Sequence, residues 1–314
     1  MTKKERVEAS VSGREFDYPP MSFWYHFGTQ HESGEKAAEI HMAYARYYDL
    51  DFLKVMNDYY YPMPEGKTEL KSAEDLKAIK RFDIHESPWA EQLKATDIMA
   101  RELKDEMYFI DTVFEPWQCM LRNLAGEHLM DLVENEPDAF LEAMDVVTEN
   151  VIDYCLEVLK RGTAGIFLST FASKKQLPKD IYMRFSYPFV ERVMKAVEGK
   201  GILNTLHLHD LGIYVDEAVK LPSDAISFED VDDSNPSIEE MRKVYSGSLM
   251  CGMHKRVFTR VTPQKVIDNA VNGVMAGGKT KFFLAPGCSI ENWLYPPSAK
   301  MALERAREVY RSST

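Results

Sequence analysis

Short apolar runs recur along this chain. Each is bounded by polar residues or by Gly and Pro, and each is followed by a segment with helical spacing. Eight of these runs read as strands: SFWYHFG at 22–28, DFLKVMNDYYY at 51–61, YFIDTVF at 108–114, GIFLST at 165–170, ILNTLHLH at 202–209, AISFED at 225–230, SLMCGM at 248–253 and KFFLAPG at 281–287. The repeated strand-then-helix order predicts an α/β architecture, a single (β/α)8 TIM barrel, over an open doubly wound sheet. Strand count alone does not prove closure, so the open sheet stays the alternative.

Helix starts carry local signals. Ser237-Ile238-Glu239-Glu240 is a capping box, and Thr262-Pro263 sets an N-cap with Pro at the first helical position. Leu177-Pro178 and Pro297-Ser298 carry similar signals. Residues 62–107 are predicted as a charged, helical, surface-exposed insertion, and residues 1–20 as an N-terminal extension. Residues 118–161 hold two helices split near Glu136-Pro137-Asp138.

Composition narrows the class. The 314 residues are 45% hydrophobic and 28% charged, as in an ordinary soluble globular chain, and the net charge of −12 argues against nucleic acid as a partner. No apolar run is long enough to span a membrane, and the charged N-terminus lacks the apolar core of a signal peptide. Cys119, Cys155, Cys251 and Cys288 form no C-x-x-C pair, so no disulfide framework is indicated and a reducing cytoplasm is the expected location.

In a (β/α)8 barrel the reactive groups sit at the C-terminal ends of the strands. Here those ends present His26, Asn57, Asp58, Glu115, Ser169, His207, His209, Glu229, Asp230, His254 and Cys288. The pattern His207-Leu208-His209 on a strand puts both imidazoles on one face, because side chains alternate along a strand. With Cys288 they offer two nitrogens and a thiolate to a Zn²⁺ ion, leaving a fourth position for substrate. Asp58, Glu115, Glu229 and Asp230 are candidates for proton transfer or for orienting a ligating imidazole. His26, Asn57, Ser169 and His254 are candidates for lining a cofactor pocket. Each has a plainer reading: His26 as a hydrogen-bonded core residue, Asp58 as a turn cap, Glu229 and Asp230 as loop charges, His254 as a solvated neighbour of Lys255 and Arg256. No G-x-G-x-x-G, P-loop or G-x-S-x-G motif occurs.

The segments GIFLSTFASKKQLPKDIYMRFSYPFVERVMKAV, LHLHD, DAISFEDVDDSNPSIEEMRKVYSGSLMCGMHKRVF and GKTKFFLAPGCSI resemble the uroporphyrinogen decarboxylase superfamily. That superfamily also contains zinc-dependent, corrinoid-linked methyltransferases, and the resemblance implies a single (β/α)8 barrel. Tetrapyrrole decarboxylases of the family carry an arginine-rich N-terminal segment that grips substrate carboxylates, whereas FWYHFGTQHESG from Phe23 has no Arg. In the methyltransferase branch zinc sits on H-x-C and a later Cys. His207 and Cys288 match two of these ligands, and His209 stands where the middle Cys would be. The resemblance thus implies a metal-dependent transfer of methyl between a small donor or acceptor and a corrinoid (cobalamin), carried on a partner protein. A decarboxylase or other lyase of the same superfamily, with Asp58 stabilising a cationic intermediate, is the second reading, and a non-catalytic corrinoid- or metal-binding subunit the third.

Overall fold

The computed structural model describes residues 1–258, 261–291 and 296–313. Seven strands form one sheet: β1 (Phe52–Val55), β2 (Tyr108–Phe114), β3 (Gly165–Thr170), β4 (Thr205–Leu208), β5 (Ala225–Ser227), β6 (Ser248–Met253) and β7 (Phe282–Pro286). They pair in chain order, all parallel. The sheet curls until its first and last strands meet: Phe52 of β1 lies edge-to-face on Phe283 of β7, with ring centroids 5.4 Å apart.

The expected eighth strand at 22–28 does not form, so among the described residues the sheet has seven strands where eight were expected. Met21 alone bridges to Leu284. Around it, Leu284 N–H donates to Pro20 O at 2.9 Å, Ser22 N–H to Leu284 O at 3.1 Å, and Asp51 N–H to Met21 O at 2.9 Å. A short extended segment therefore lies between β7 and the residue preceding β1, hydrogen-bonded to both. The aromatic side chains that made the run look like a strand pack away from it instead. Phe23 sits against Tyr44, Tyr48 and Phe258, and Trp24 against Phe167.

Two apolar layers follow from the strand alternation. Inward residues such as Phe52, Ile110, Phe167, Met250 and Phe283 fill the inside of the curl, and the outward ones pack under the helices. Residues 1–20 include the helix Lys3–Ser12, whose start is fixed by a Thr2/Glu5 capping box. Val7 of that helix joins the interior cluster, and Ser10 Oγ donates to Phe282 O at 2.9 Å, at the start of β7. The helix thus covers the N-terminal end of the sheet. Residues 62–107 include the helix Trp89–Glu102, which buries Trp89, Leu93, Ala95 and Met99 and lies between β1 and β2 in the chain. One face of the charged stretch is therefore packed, not fully exposed.

Other boundaries follow the sequence closely. Leu129–Asn135 and Pro137–Lys160 are separate helices divided at Glu136. Ser237 caps Ile238–Val244 with both halves of its capping box, and Thr262 is the N-cap of Pro263–Gly277. Lys179–Phe185 follows Pro178, and the last helix begins at Pro296. Among the described residues, no helix is long and apolar enough to cross a membrane.

Candidate metal centre

β4 ends in the H-x-H pattern. His207 pairs in register with Ser169 of β3 and Ser227 of β5, is buried, and has its Nδ1 3.2 Å from Ser227 Oγ. His209 lies just past the strand but continues the ladder, its N–H donating to Thr170 O at 2.9 Å. The next residue, Asp210, takes φ 74°, a left-handed turn that Asp tolerates better than most side chains. Its carboxylate is held by Lys175 and Gln176. The two imidazoles thus come from one rigid strand end.

The thiol arrives from the far edge of the sheet. Cys288 follows β7, and Gly287 before it packs so tightly that a Cβ there would lie 2.5 Å from the Glu229 Cα. Cys288 Sγ stands 3.3 Å from His209 Nδ1, and one ligand atom from each of His207, His209 and Cys288 lies within 4.8 Å of the others. Burial alone would raise the Cys288 thiol; hydrogen bonds from both imidazoles outweigh it and bring it well below its ordinary value. Burial pushes His207 down, which favours the neutral ring. A thiolate beside neutral imidazoles is the state in which these groups bind metal.

The three groups line a cavity of about 280 Å³ at the C-terminal end of the sheet. Its walls also include Trp24, His26, Phe167, Ser169 and Phe171. His26 Nδ1 is 2.6 Å from Asp58 Oδ1, and Gly28 N–H donates to Asp58 Oδ2 at 3.0 Å. Asp58 therefore orients a ring on the cavity wall.

The other expected site residues are placed elsewhere. Asn57 donates to Tyr154 Oη at 3.0 Å and accepts from Tyr59 N–H, behind the cavity wall. Glu115 is buried and binds Phe171 N–H and Ser186 Oγ, tying down the loop after β3, with its carboxyl raised to about 7 by burial. Glu229 binds His254 Nδ1 at 2.8 Å, and Asp230 accepts from Gly252 N–H at 2.7 Å. None of Asn57, Glu115, Glu229, Asp230 and His254 is among the described residues lining the cavity. Glu229 acts instead as the packing partner of Gly287, one residue from the thiol.

Two cationic residues outside the expected site set also line the cavity. Lys54, on β1, is 3% exposed and projects into the cavity floor, and burial pushes its ammonium down to about 7 against the pull of Cys288, Asp58 and Asp111. Arg122 reaches the cavity with its guanidinium over Phe114 at 4.0 Å. The signal for Lys54 was present: it alternates with Phe52 and Met56, so it shares their inward face.

The sequence profile of the family described as Uroporphyrinogen decarboxylase (URO-D) matches residues 2–309. The chain belongs to that family. Its fold is similar to that of a methyltransferase from Methanosarcina mazei, with a TM-score of 0.80 and 16% identity over 98% of each chain. A B12-independent methionine synthase from Shewanella sp. W3-18-1 is similar over 70% of this chain and 67% of its own, with a TM-score of 0.52 and 15% identity. No curated protein matches the sequence. Within this family the cavity on the C-terminal face, with its two imidazoles and one thiol, is the feature that the local chemistry singles out.

Proposed function

We propose that this chain is a metal-dependent methyltransferase that moves a methyl group between a small substrate and a corrinoid carried on a separate protein. The observation that carries the reading is the convergence of His207, His209 and Cys288 on one cavity wall. Family membership and the fold shared with a methyltransferase are consistent with it.

The donor set fits Zn²⁺. Two imidazoles and a thiolate match its ligand preferences, and three protein ligands leave a position open toward the cavity. Ser227 fixes the His207 ring through Nδ1, leaving Nε2 for a metal. Bound there, zinc would supply Lewis acidity, lowering the pKa of a thiol or polarising the heteroatom that bears the methyl group. The protein's own residues do the rest. Trp24, Phe167 and Phe171 exclude water from the reacting centre. His26, oriented by Asp58, takes or delivers a proton at the cavity wall. The opening on the C-terminal face is where a corrinoid protein would present its cofactor.

The decarboxylase reading keeps one observation in its favour: Lys54 and Arg122 offer cations to an acid, with Asp58 bound to a ring on the same wall. Metal content and turnover separate the two. Purified from zinc-supplemented medium, the protein should hold one zinc per chain and exchange methyl with a free or protein-bound corrinoid. A metal-free protein that decarboxylates a carboxylic substrate would overturn the methyltransferase reading.

A further inference from the structure

The charges around the cavity are unbalanced. The chain carries a net charge of −12, yet no Asp or Glu is among the described residues that line this cavity, while Lys54 and Arg122 both do. Lys54 is the more telling of the two. Its Nζ contacts Met56 Sδ at 2.6 Å and lies over the rings of Phe167 at 4.5 Å and Trp24 at 5.2 Å. Among the described residues it has no ion pair. A thioether and two aromatic faces recover only part of what burying an ammonium costs.

Loading the metal site sharpens the imbalance. A dication held by two neutral imidazoles and a thiolate would leave a net positive centre in the same small cavity as Lys54. Asp58 and Asp111 act on Lys54 from behind the lining residues, so an anion within the cavity itself is what this arrangement lacks. We propose that the substrate carries a carboxylate, that Lys54 receives it at the cavity floor, and that Arg122 stands as a second cation on the path inward. The substrate's other end then faces His207, His209 and Cys288. A carboxylate suits the floor better than a phosphate, because a single ammonium matches a single charge. The Thr112 hydroxyl on the same wall already donates to Val55 O. Among the described residues lining the site there is no glycine-rich run of backbone N–H groups to hold a dianion. Lys54 is thus a specificity-determining residue. The claim rests on the methyltransferase reading only for what the substrate's far end does; the anion contact stands without metal.

The test is calorimetric binding of butyrate and of its neutral isostere butyramide to the full chain, both metal-free and zinc-loaded. Wild type should prefer butyrate by about 10- to 100-fold, the size expected for a hydrogen bond to a charged group. Lys54→Met, of similar length and without charge, should bind both ligands alike, and Lys54→Arg should keep part of the preference. Circular dichroism confirms that each variant is folded. Should Lys54→Met not fold, quenching of wild-type tryptophan fluorescence by butyrate and not by butyramide, through Trp24, supports the assignment. Equal binding of the two ligands to wild type overturns the proposal, as does a preference that survives in folded Lys54→Met. A butyrate preference in a protein that holds no zinc overturns the methyltransferase reading alone. Zinc retained without the preference overturns the carboxylate assignment alone.

Discussion

Cys288 and Gly287 show how a single position decides chemistry at the residue scale. Cys288 supplies the thiolate, while Gly287 lets its loop approach Glu229 closely enough to deliver it. Replacing Cys288 with Ser should take zinc from one ion per chain to nearly none and abolish methyl transfer, with the circular dichroism spectrum unchanged. A metal at the end of the strands is not what buries the core. Unfolding of the variant would mean that the site is structural. Gly287→Ala tests the support behind the ligand. The added Cβ must push the loop off Glu229, and zinc affinity should fall by about 10- to 100-fold, as when the partners behind a metal ligand are lost. Competition with a chromogenic chelator reads this out, and unchanged affinity would show that the loop yields without moving the thiol. The shared face of His207 and His209 was legible in the sequence because side chains alternate along a strand. The roles first considered for Glu115 and Glu229 were not, because a carboxylate at a strand end can face the cavity or a neighbouring loop with equal ease.

At the scale of elements, the N-terminal helix Lys3–Ser12 and the C-terminal helix Pro296–Ser313 are joined through Asp51. This fully buried carboxylate accepts from Arg6 at 3.1 Å, Arg307 at 3.2 Å, Tyr18 Oη at 3.2 Å and Met21 N–H at 3.1 Å. Removing one partner of a buried charge cluster leaves the others without compensation. Asp51→Ala should therefore cost about 3–5 kcal/mol in urea unfolding. A loss below about 1 kcal/mol would place these helices' attachment in their apolar contacts instead. Helix starts were legible from Ser237, whose capping box joins residues three apart, and from Pro263, whose fixed φ suits the first helical position. The run at 22–28 misled, because aromatic residues favour a strand and a packed loop alike; its backbone meets the β7 region where Ser22 N–H donates to Leu284 O and Ile290 N–H donates to Trp24 O.

At the scale of the whole molecule, acid–base behaviour is governed by what the fold buries. Asp111 lies between the sheet and the helices, bound to Gln92 and Tyr154, and burial raises its carboxyl to about 7. The folded chain then holds a proton that the unfolded chain releases at an ordinary carboxyl value. Its contribution to stability falls as pH rises from about 4 to about 7 and is flat beyond. Asp111→Asn should remove that slope, so the melting temperature of the variant relative to wild type should climb between pH 4.5 and 7.5. A difference that stays constant across that range would mean that Asp111 is ionised throughout. The cavity sets a further limit. About 280 Å³ lies below the usual range for enclosing even a drug-sized ligand. Incubation with uroporphyrinogen under reducing conditions should therefore give no coproporphyrinogen, and measurable product would favour the decarboxylase reading.

By itself the sequence determined the alternation of strands and helices, most helix starts, and the pairing of His207 with His209 on one face. These depend on side-chain periodicity and on contacts a few residues long. Only the tertiary structure decided what lies far apart in the chain: that Cys288 meets His209, that Arg122 reaches the cavity, that the helix Lys3–Ser12 covers the end of the sheet, and that the ring has seven strands and a short extended segment. The reason is physical. Periodicity fixes which face a residue occupies, but the curl of the sheet fixes which faces meet, and that curl is set by packing summed over every strand at once.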